Sequence, residues 1–347
     1  MNKQGLNLNT LGEFDLIERF FKRAANNAYP HILLGIGDDC ALISCSAKDQ
    51  VGDLAVSTDM LIEGRHFLPG AGPFSLGHKC LAVNLSDLAA MGATPVAFTL
   101  AIAMPEVNTK WLDEFSAGLL ALADEHHCPL IGGDTTAGPL TISITIFGRV
   151  DATKSLKRSN AKLGDDIWIS NTLGDARLVL GNIRQEWALD PTEIALVAPR
   201  MHAPVPRVTL GQKLLGVANA AIDISDGLLG DLSHILKMSE VGAEIYIDQI
   251  PCSSTLGNQS LELKRLCTLM GGDDYELCFT ASTTEREKIQ SISKTLGLTL
   301  TKVGKIIPVP TEVSCNLITL LDEDGQILPT ELSKQYLQSF DHFKTPN

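Results

Sequence analysis

An α/β or α+β protein in two related parts is what this sequence predicts. Three observations lead there. Apolar segments with strand and helix periodicity alternate through both halves of the chain. A polar stretch poor in apolar residues, DATKSLKRSNAKLGDD at 151–166, separates the halves. The length of 347 residues is long for a single core, which favours two domains. The expected division is 1–150 and 151–347.

In the first half, FDLIERFFKRA at 14–24 places Phe14, Ile17, Phe20 and Phe21 on one helical face. GIGDDCALI then turns into a short strand at 41–44, and LAVSTD at 54–59 reads as a strand. SLGHKCLAVNLSDLAAM at 75–91 predicts a long helix stopped by Gly92. An apolar strand follows at 95–104. Residues 110–126 predict a helix with Trp111, Phe115, Leu119 and Leu122 at helical spacing. LIGGDTTAG reads as a glycine-rich turn. TISITIFGRV alternates at Ile142, Ile144 and Ile146, as a half-buried strand does.

Beyond the junction come strand DIWIS, a helix, and another helix near 207–219. Strand AIDIS, helix GLLGDLSHILKMS, strand AEIYID, strand YELCFTA and helix TEREKIQSISKTLG follow. A hairpin turn is expected at DEDG, 322–325, before the aromatic-bearing tail QSFDHF.

Composition narrows the function. Against 28 Lys+Arg stand 41 Asp+Glu, a net charge of −13, which disfavours a free-standing nucleic-acid binder. No run reaches the roughly 18 apolar residues of a membrane helix. Acidic residues at 13, 15 and 18 interrupt any signal-like start. The 8 cysteines form no CxxC pair and read as buried, reduced thiols of a cytoplasmic protein.

Five aspartate-bearing turns carry the chemistry: GIGDD (Asp38, Asp39), STD (Asp59), NLSD (Asp87), GGD (Asp134) and DISD (Asp223, Asp226). Four lie beside strand ends, where α/β proteins assemble sites; Asp87 falls in a helix. Singly, each is ordinary turn or cap chemistry. Together, several converging carboxylates would repel one another unless a cation joined them. An Asp-rich set free of Cys and His suits Mg²⁺, and Mg²⁺ in turn suggests a phosphate ligand. P-loop, protein-kinase, Rossmann, GxSxG and HExxH signatures are absent. His31, His126, His127, His202 and His234 have no metal-spaced partner. Lys79 lies one or two helical turns from Asp87 and reads either as an intra-helix ion pair or as a phosphate contact.

The ordered series GIGDDCA, STDMLIEGRHF, KCLAVNLSDLAAMGATP, LIGGDTT, RSNAKLGD, AIDISDGL, GGDDYELCF and FDHF resembles the thiamine-monophosphate kinase family. That family shares a superfamily with aminoimidazole ribonucleotide synthetase and selenophosphate synthetase. The resemblance implies a two-domain PurM-like fold. Its N-terminal α/β domain would form a barrel on dimerisation, and its C-terminal α/β domain would close on it. It implies ATP-dependent phosphorylation of thiamine monophosphate with several Mg²⁺ ions, in a homodimer. By motif, Asp39, Ser57, Thr58, Asp59, Asp87, Asp134, Asp223 and Asp226 become metal contacts. Gly133, Asp134, Arg158 and Ser225 become nucleotide contacts; His66, Asp273 and Phe340 become substrate contacts. Two departures stand out: Asp273 where the family carries Glu, and Phe340 where Tyr or Trp is usual. No side-chain nucleophile or base is expected. The rival readings are another ATP-using synthetase of the superfamily, or a non-catalytic nucleotide-binding maturation protein.

Overall fold

The computed structural model describes residues 31–45, 52–310 and 317–336. The expected helix at 14–24, Cys315 and Phe340 lie outside the described residues. Two six-stranded sheets, both mixed and mostly antiparallel, form the framework.

The first sheet contains β1 (Ile32–Leu34), β2 (Ala41–Ile43), β3 (Asp53–Ile62), β4 (Thr94–Met104), β5 (Leu130–Ala137) and β6 (Thr141–Val150). Its order is β1-β2-β3-β6-β4-β5, with only β4 and β5 parallel. Among the described residues, helices α1 (Pro73–Ala90) and α2 (Thr109–Glu125) are the α-helices of this half. On β6, Ile142, Ile144 and Ile146 are fully buried while the residues between them are half-buried, as the alternation requires. Trp111 stacks on Phe115 at 4.9 Å, and Phe115, Leu119 and Leu122 are buried along α2.

The second sheet holds β7 (Asp166–Ser170), β8 (Ala220–Ile224), β9 (Gly242–Tyr246), β10 (Glu276–Ala281), β11 (Leu300–Ile307) and β12 (Ile318–Leu321). Its order is β12-β9-β11-β7-β10-β8. Helices α3 (Asp175–Ile183), α4 (Pro191–His202), α5 (Val208–Leu214), α6 (Leu228–Ser239), α7 (Ser254–Gly257), α8 (Leu261–Met270), α9 (Arg286–Leu296) and α10 (Thr330–Tyr336) complete this half. Strands β7, β8 and β10 are buried at every residue. Both faces of these strands are then covered, edge strand β8 included, so their sequences are mostly apolar without a strict alternation.

Alternate residues of these strands enter two cores. Trp168, Ala221, Leu277 and Phe279 join the core around α1. Ile167, Ile169, Ile222, Ile224 and Cys278 join a second core with α6. Helix α1 packs against β3, β4 and β6 of the first sheet and against β8 and β10 of the second. A helix buried on all sides must be apolar all round, and α1 is, except at a few polar positions.

The stretch 130–138, expected as a turn, is largely strand β5. Its residues are exposed, so it shows no burial alternation that a sequence pattern could reveal. Glycine permits its pairing: at Gly133 φ is +150°, and a Cβ there would lie 1.8 Å from the Leu100 carbonyl oxygen. The turn at DEDG is as expected, with Gly325 N–H donating to Asp322 O and Asp322 N–H to Gln326 O. No disulfide joins the described cysteines, and burial pushes the Cys128 and Cys267 thiols up to about 11 and about 12. No helix among the described residues is long and apolar enough to cross a membrane.

A candidate cation-binding centre between the two sheets

The polar residues of α1 define the centre. They bond to β3 and β8, one strand from each sheet. Ser57 Oγ, on β3, donates a very short hydrogen bond to Asp87. Ser86 Oγ donates to Asp223 Oδ2, on β8, at 2.8 Å. Asn84 Oδ1 accepts from Asp59 N–H at 3.2 Å, and its amide donates to Cys80 O at 2.9 Å. Strand periodicity supplies the aim. On β3, Ser57 and Asp59 share the α1-facing parity of buried Ala55 and Leu61. On β8, Asp223 shares the parity of Ala221, which lies in the core around α1.

Asp39, Asp87 and Asp223 therefore converge, with one carboxylate oxygen of each lying within 4.8 Å of the others. Asp39 and Asp223 are buried; Asp87 is half-buried. Loss of solvent raises the Asp87 pKa well above the carboxylate range, and Asp59, Asp223 and Asp39 push it further; Ser57 opposes them. Burial likewise raises Asp223, with Asp39 and Asp59 adding and Ser86 and Arg158 opposing. Asp38 is pushed up to about 7 by burial and by Asp39, against Arg158. Arg158 forms a fork on Asp39, Nη2 to Oδ1 at 2.7 Å and Nε to Oδ2 at 3.2 Å. Its backbone N–H donates to Asp38 at 3.3 Å. Burial works against the guanidinium charge, but Asp39 and Asp38 raise its pKa.

One arginine thus faces a group of carboxylates whose charges it cannot balance. An all-oxygen, anionic donor set of this kind fits Mg²⁺ or a similar hard cation. It offers no soft ligand for zinc.

The remaining sequence-derived residues spread around this centre. Asp59 is close enough to raise both Asp87 and Asp223. Ser225 and Asp226 form the turn after β8, where both backbone N–H groups donate to Asp231 Oδ2, at 3.0 and 3.1 Å. Sequence reasoning missed Asp231; its signal is an acidic residue in the first turn of α6. Thr58 faces away from α1 and shares a hydroxyl contact of 2.9 Å with Thr145. Asp134 lies on exposed β5, opposite Ala101, and is not drawn into the three-carboxylate group. His66 follows β3 and accepts the Ile62 N–H through Nδ1 at 3.0 Å.

Lys79 settles one of the two sequence readings. Its ammonium pairs with Asp273 at 2.7 Å, not with Asp87. Three residues on, Glu276 is fully buried and fully paired. It accepts from Arg200 Nη2 at 2.6 Å and from Arg207 Nε and Nη2 at 2.6 and 2.5 Å. Ser170 Oγ donates to it at 2.5 Å and Asn171 Nδ2 at 3.0 Å.

Residues 37–150 match the N-terminal domain model of AIR synthase related proteins, and residues 162–315 match the C-terminal one. The thiamine-monophosphate kinase of Salmonella typhimurium strain LT2 is 43% identical over 297 residues, covering 85% of this chain and 90% of that protein.

The chain belongs to the thiamine-monophosphate kinase family.

Solved family members superpose over almost the whole chain. The enzyme from Stenotrophomonas maltophilia K279a gives a TM-score of 0.74 at 43% identity, covering 92% of this chain and 98% of that one. AaThiL complexed with AMPPCP and TMP gives 0.78 at 26% identity, covering 97% and 99%. The expected two-part PurM-like fold is the family's fold. Among the described residues the first sheet is open, with β1 and β5 as its outermost strands.

Proposed function

We propose that this chain transfers the γ-phosphoryl group of ATP to the phosphate of thiamine monophosphate, giving thiamine diphosphate and ADP. The observation that carries the reading is the meeting of Asp39, Asp87 and Asp223 within 4.8 Å in a chain of this family. The acceptor brings its own nucleophile, a phosphate oxygen already ionised at neutral pH. No general base is required, and the transfer is direct, without a phosphorylated protein intermediate. The chain's task is to hold two polyanions in line.

Asp39, Asp87 and Asp223 would hold Mg²⁺, with Ser57 and Asp59 beside them and Asp226 on the adjoining turn. When bound, Mg²⁺ supplies the positive charge that lets phosphate groups approach this carboxylate-rich centre. Arg158 is the cation that meets the nucleotide phosphates, at a cost in its pairing with Asp39. Gly133, Asp134 and Ser225 complete the proposed nucleotide contacts; His66, Asp273 and Phe340 complete those to thiamine monophosphate. Thr58 and Asp134 lie on or beside the outer face of the first sheet, along with exposed Met60 and Ile62. We place the homodimer contact on that face, and we place the chain in the cytoplasm, with domains spanning 1–150 and 151–347.

The test is ATP consumption with Mg²⁺ in the presence of thiamine monophosphate or free thiamine, with products resolved by chromatography. Thiamine diphosphate and ADP from the monophosphate alone are expected. ATP binding without turnover on either compound overturns the substrate assignment. A phosphorylated residue in the quenched protein overturns direct transfer.

A further inference from the structure

Lys79 is a buried lysine on the helix that carries Asp87, and its side chain is only 6% exposed. An ammonium so far from water needs compensation. It has two acceptors, Asp273 Oδ2 at 2.7 Å and Met201 O at 3.1 Å. Met201 is held in turn, because its neighbour Arg200 is fixed by Glu276 at 2.6 Å and by Thr172 O at 3.0 Å. The second oxygen of Asp273 accepts the Tyr275 hydroxyl at 2.9 Å.

The Asp273 carboxylate is therefore gripped on both oxygens from the protein side, yet its side chain remains 31% exposed. The backbone under it is equally constrained. Asp273 and Tyr275 both adopt left-handed conformations, φ +67° and +51°. Their N–H groups donate to Ser225 O and Ile224 O at 2.8 Å each. A Cβ on Gly272 would fall 2.4 Å from Ser225 O, so the loop rests directly on the turn that follows Asp223. Lys79 and Asp87 sit eight positions apart on one helix, about 12 Å along its axis. The cation centre and the exposed carboxylate are thus both tied to one helix, through Asp87 and through Lys79.

We propose that Lys79 and Tyr275 are positioning residues that hold the Asp273 carboxylate rigid, so that its open side takes a positively charged or N–H-bearing part of the non-nucleotide substrate. This rests on the proposed thiamine monophosphate reading and deepens it. The grip compensates for the short side chain: a carboxylate one methylene shorter than Glu is fixed where it stands instead of reaching. Neither Lys79 nor Tyr275 need touch the substrate.

The test uses the full-length enzyme and its Lys79→Met, Lys79→Arg, Tyr275→Phe and Asp273→Ala variants, plus the Lys79→Met/Asp273→Ala double variant. Initial rates are measured against each substrate with the other saturating, alongside thermal unfolding. Lys79→Met is expected to raise KM for thiamine monophosphate by about tenfold or more, with KM for ATP within about twofold. Tyr275→Phe should shift the same constant in the same direction by less, and Lys79→Arg should recover part of the loss. The double variant should be no worse than Asp273→Ala, because Lys79 acts through that carboxylate. Equal rises in both KM values, or a loss that adds to that of Asp273→Ala, overturn the proposal. If Lys79→Met fails to fold, an unchanged KM in Tyr275→Phe overturns it instead. Absence of wild-type turnover on thiamine monophosphate defeats the underlying reading; wild-type turnover with unmoved KM values defeats this inference alone.

Discussion

Glu276 and Asp87 are both carboxylates withdrawn from water, and their surroundings could hardly differ more. Glu276 is enclosed by Arg200, Arg207, Ser170 and Asn171, five donor contacts on two oxygens. Asp87 has Ser57 as its donor and faces Asp39, Asp59 and Asp223. Glu276 is compensated by the chain itself. Asp87 belongs to a centre where negative charge exceeds what Arg158 can offset. A compensated carboxylate stabilises architecture, whereas an under-compensated group stores repulsion that an incoming cation relieves.

The largest effect is expected at Glu276. Glu276→Ala leaves two arginines, 19% and 12% exposed, facing each other without their shared partner. Removing one member of a buried ionic network costs about 3–5 kcal/mol. Denaturant unfolding should show a loss of that order, whether or not Mg²⁺ is present. A mild loss that Mg²⁺ abolishes would place Glu276 in the binding centre and erase the contrast.

Asp87→Asn should behave in the opposite way. Removing one of three converging negative charges relieves repulsion, so the metal-free protein should be as stable as the parent or more so. Replacing groups that merely support metal ligands costs about 10–100-fold in affinity, so loss of a ligand should cost at least that. Calorimetric titration with Mg²⁺ and ATP measures it. A clearly destabilised metal-free variant with unchanged affinity would make Asp87 structural.

How much of this division could be read from the sequence depends on how local each feature is. The aspartates were legible because each ends or interrupts an apolar run, as in AIDISD and in the helix KCLAVNLSDLAAM. Asp39, Asp87 and Asp223 are each legible in this way, although Asp87 and Asp223 stand 136 positions apart. Their partners were not, because no local pattern records which elements meet. Lys79 can be assigned its partner only once α1 and the loop after α8 are packed together, and the same holds for Ser86; Asp231, by contrast, meets the backbone of Ser225 and Asp226 close by in sequence, and its place in the first helical turn is a local signal. Fold elements failed where burial imposes no period. Strand β5 is exposed along its length. Strand β11 (LTKVGKII) is interrupted by Lys302, Gly304 and Lys305, so its sequence carries no clear strand pattern. Helix α4 was hidden by Pro199, although Pro191 and the Asp190–Glu193 capping box mark its start.

The third prediction concerns pH. Asp38, Asp87 and Asp223 have folded-state pKa values above the roughly 3.9 of an unfolded aspartate. The folded chain therefore binds more protons than the unfolded one above that value. Stability of the metal-free protein should fall as pH rises from about 4 through about 7, by up to about 1.4 kcal/mol per pH unit for each extra proton held. Mg²⁺ favours the ionised forms and should oppose that fall. The rise in Tm produced by Mg²⁺ over EDTA should be larger at pH 8 than at pH 5.5. A pH-independent rise would place the bound ion somewhere other than this centre.

The smallest effect separates two adjacent residues. Ser57 and Thr58 both entered the sequence reading as cation contacts, but a strand sends neighbours to opposite faces. Ser57 meets Asp87 on the α1 side; Thr58 meets Thr145 on the other. Ser57→Ala removes the donor that steadies Asp87 and should cost about 1 kcal/mol of Mg²⁺ binding, roughly fivefold. Thr58→Val removes an outer-face hydroxyl and should leave that affinity within about twofold, because any cation contact from position 58 would have to come from its backbone carbonyl, which the substitution preserves. Equal losses in the two variants would mean that the centre extends through the sheet to its outer face. Asp134, on β5, would then join Asp87 as part of one site, and the boundary between the under-compensated centre and the rest of the molecule would have to be redrawn.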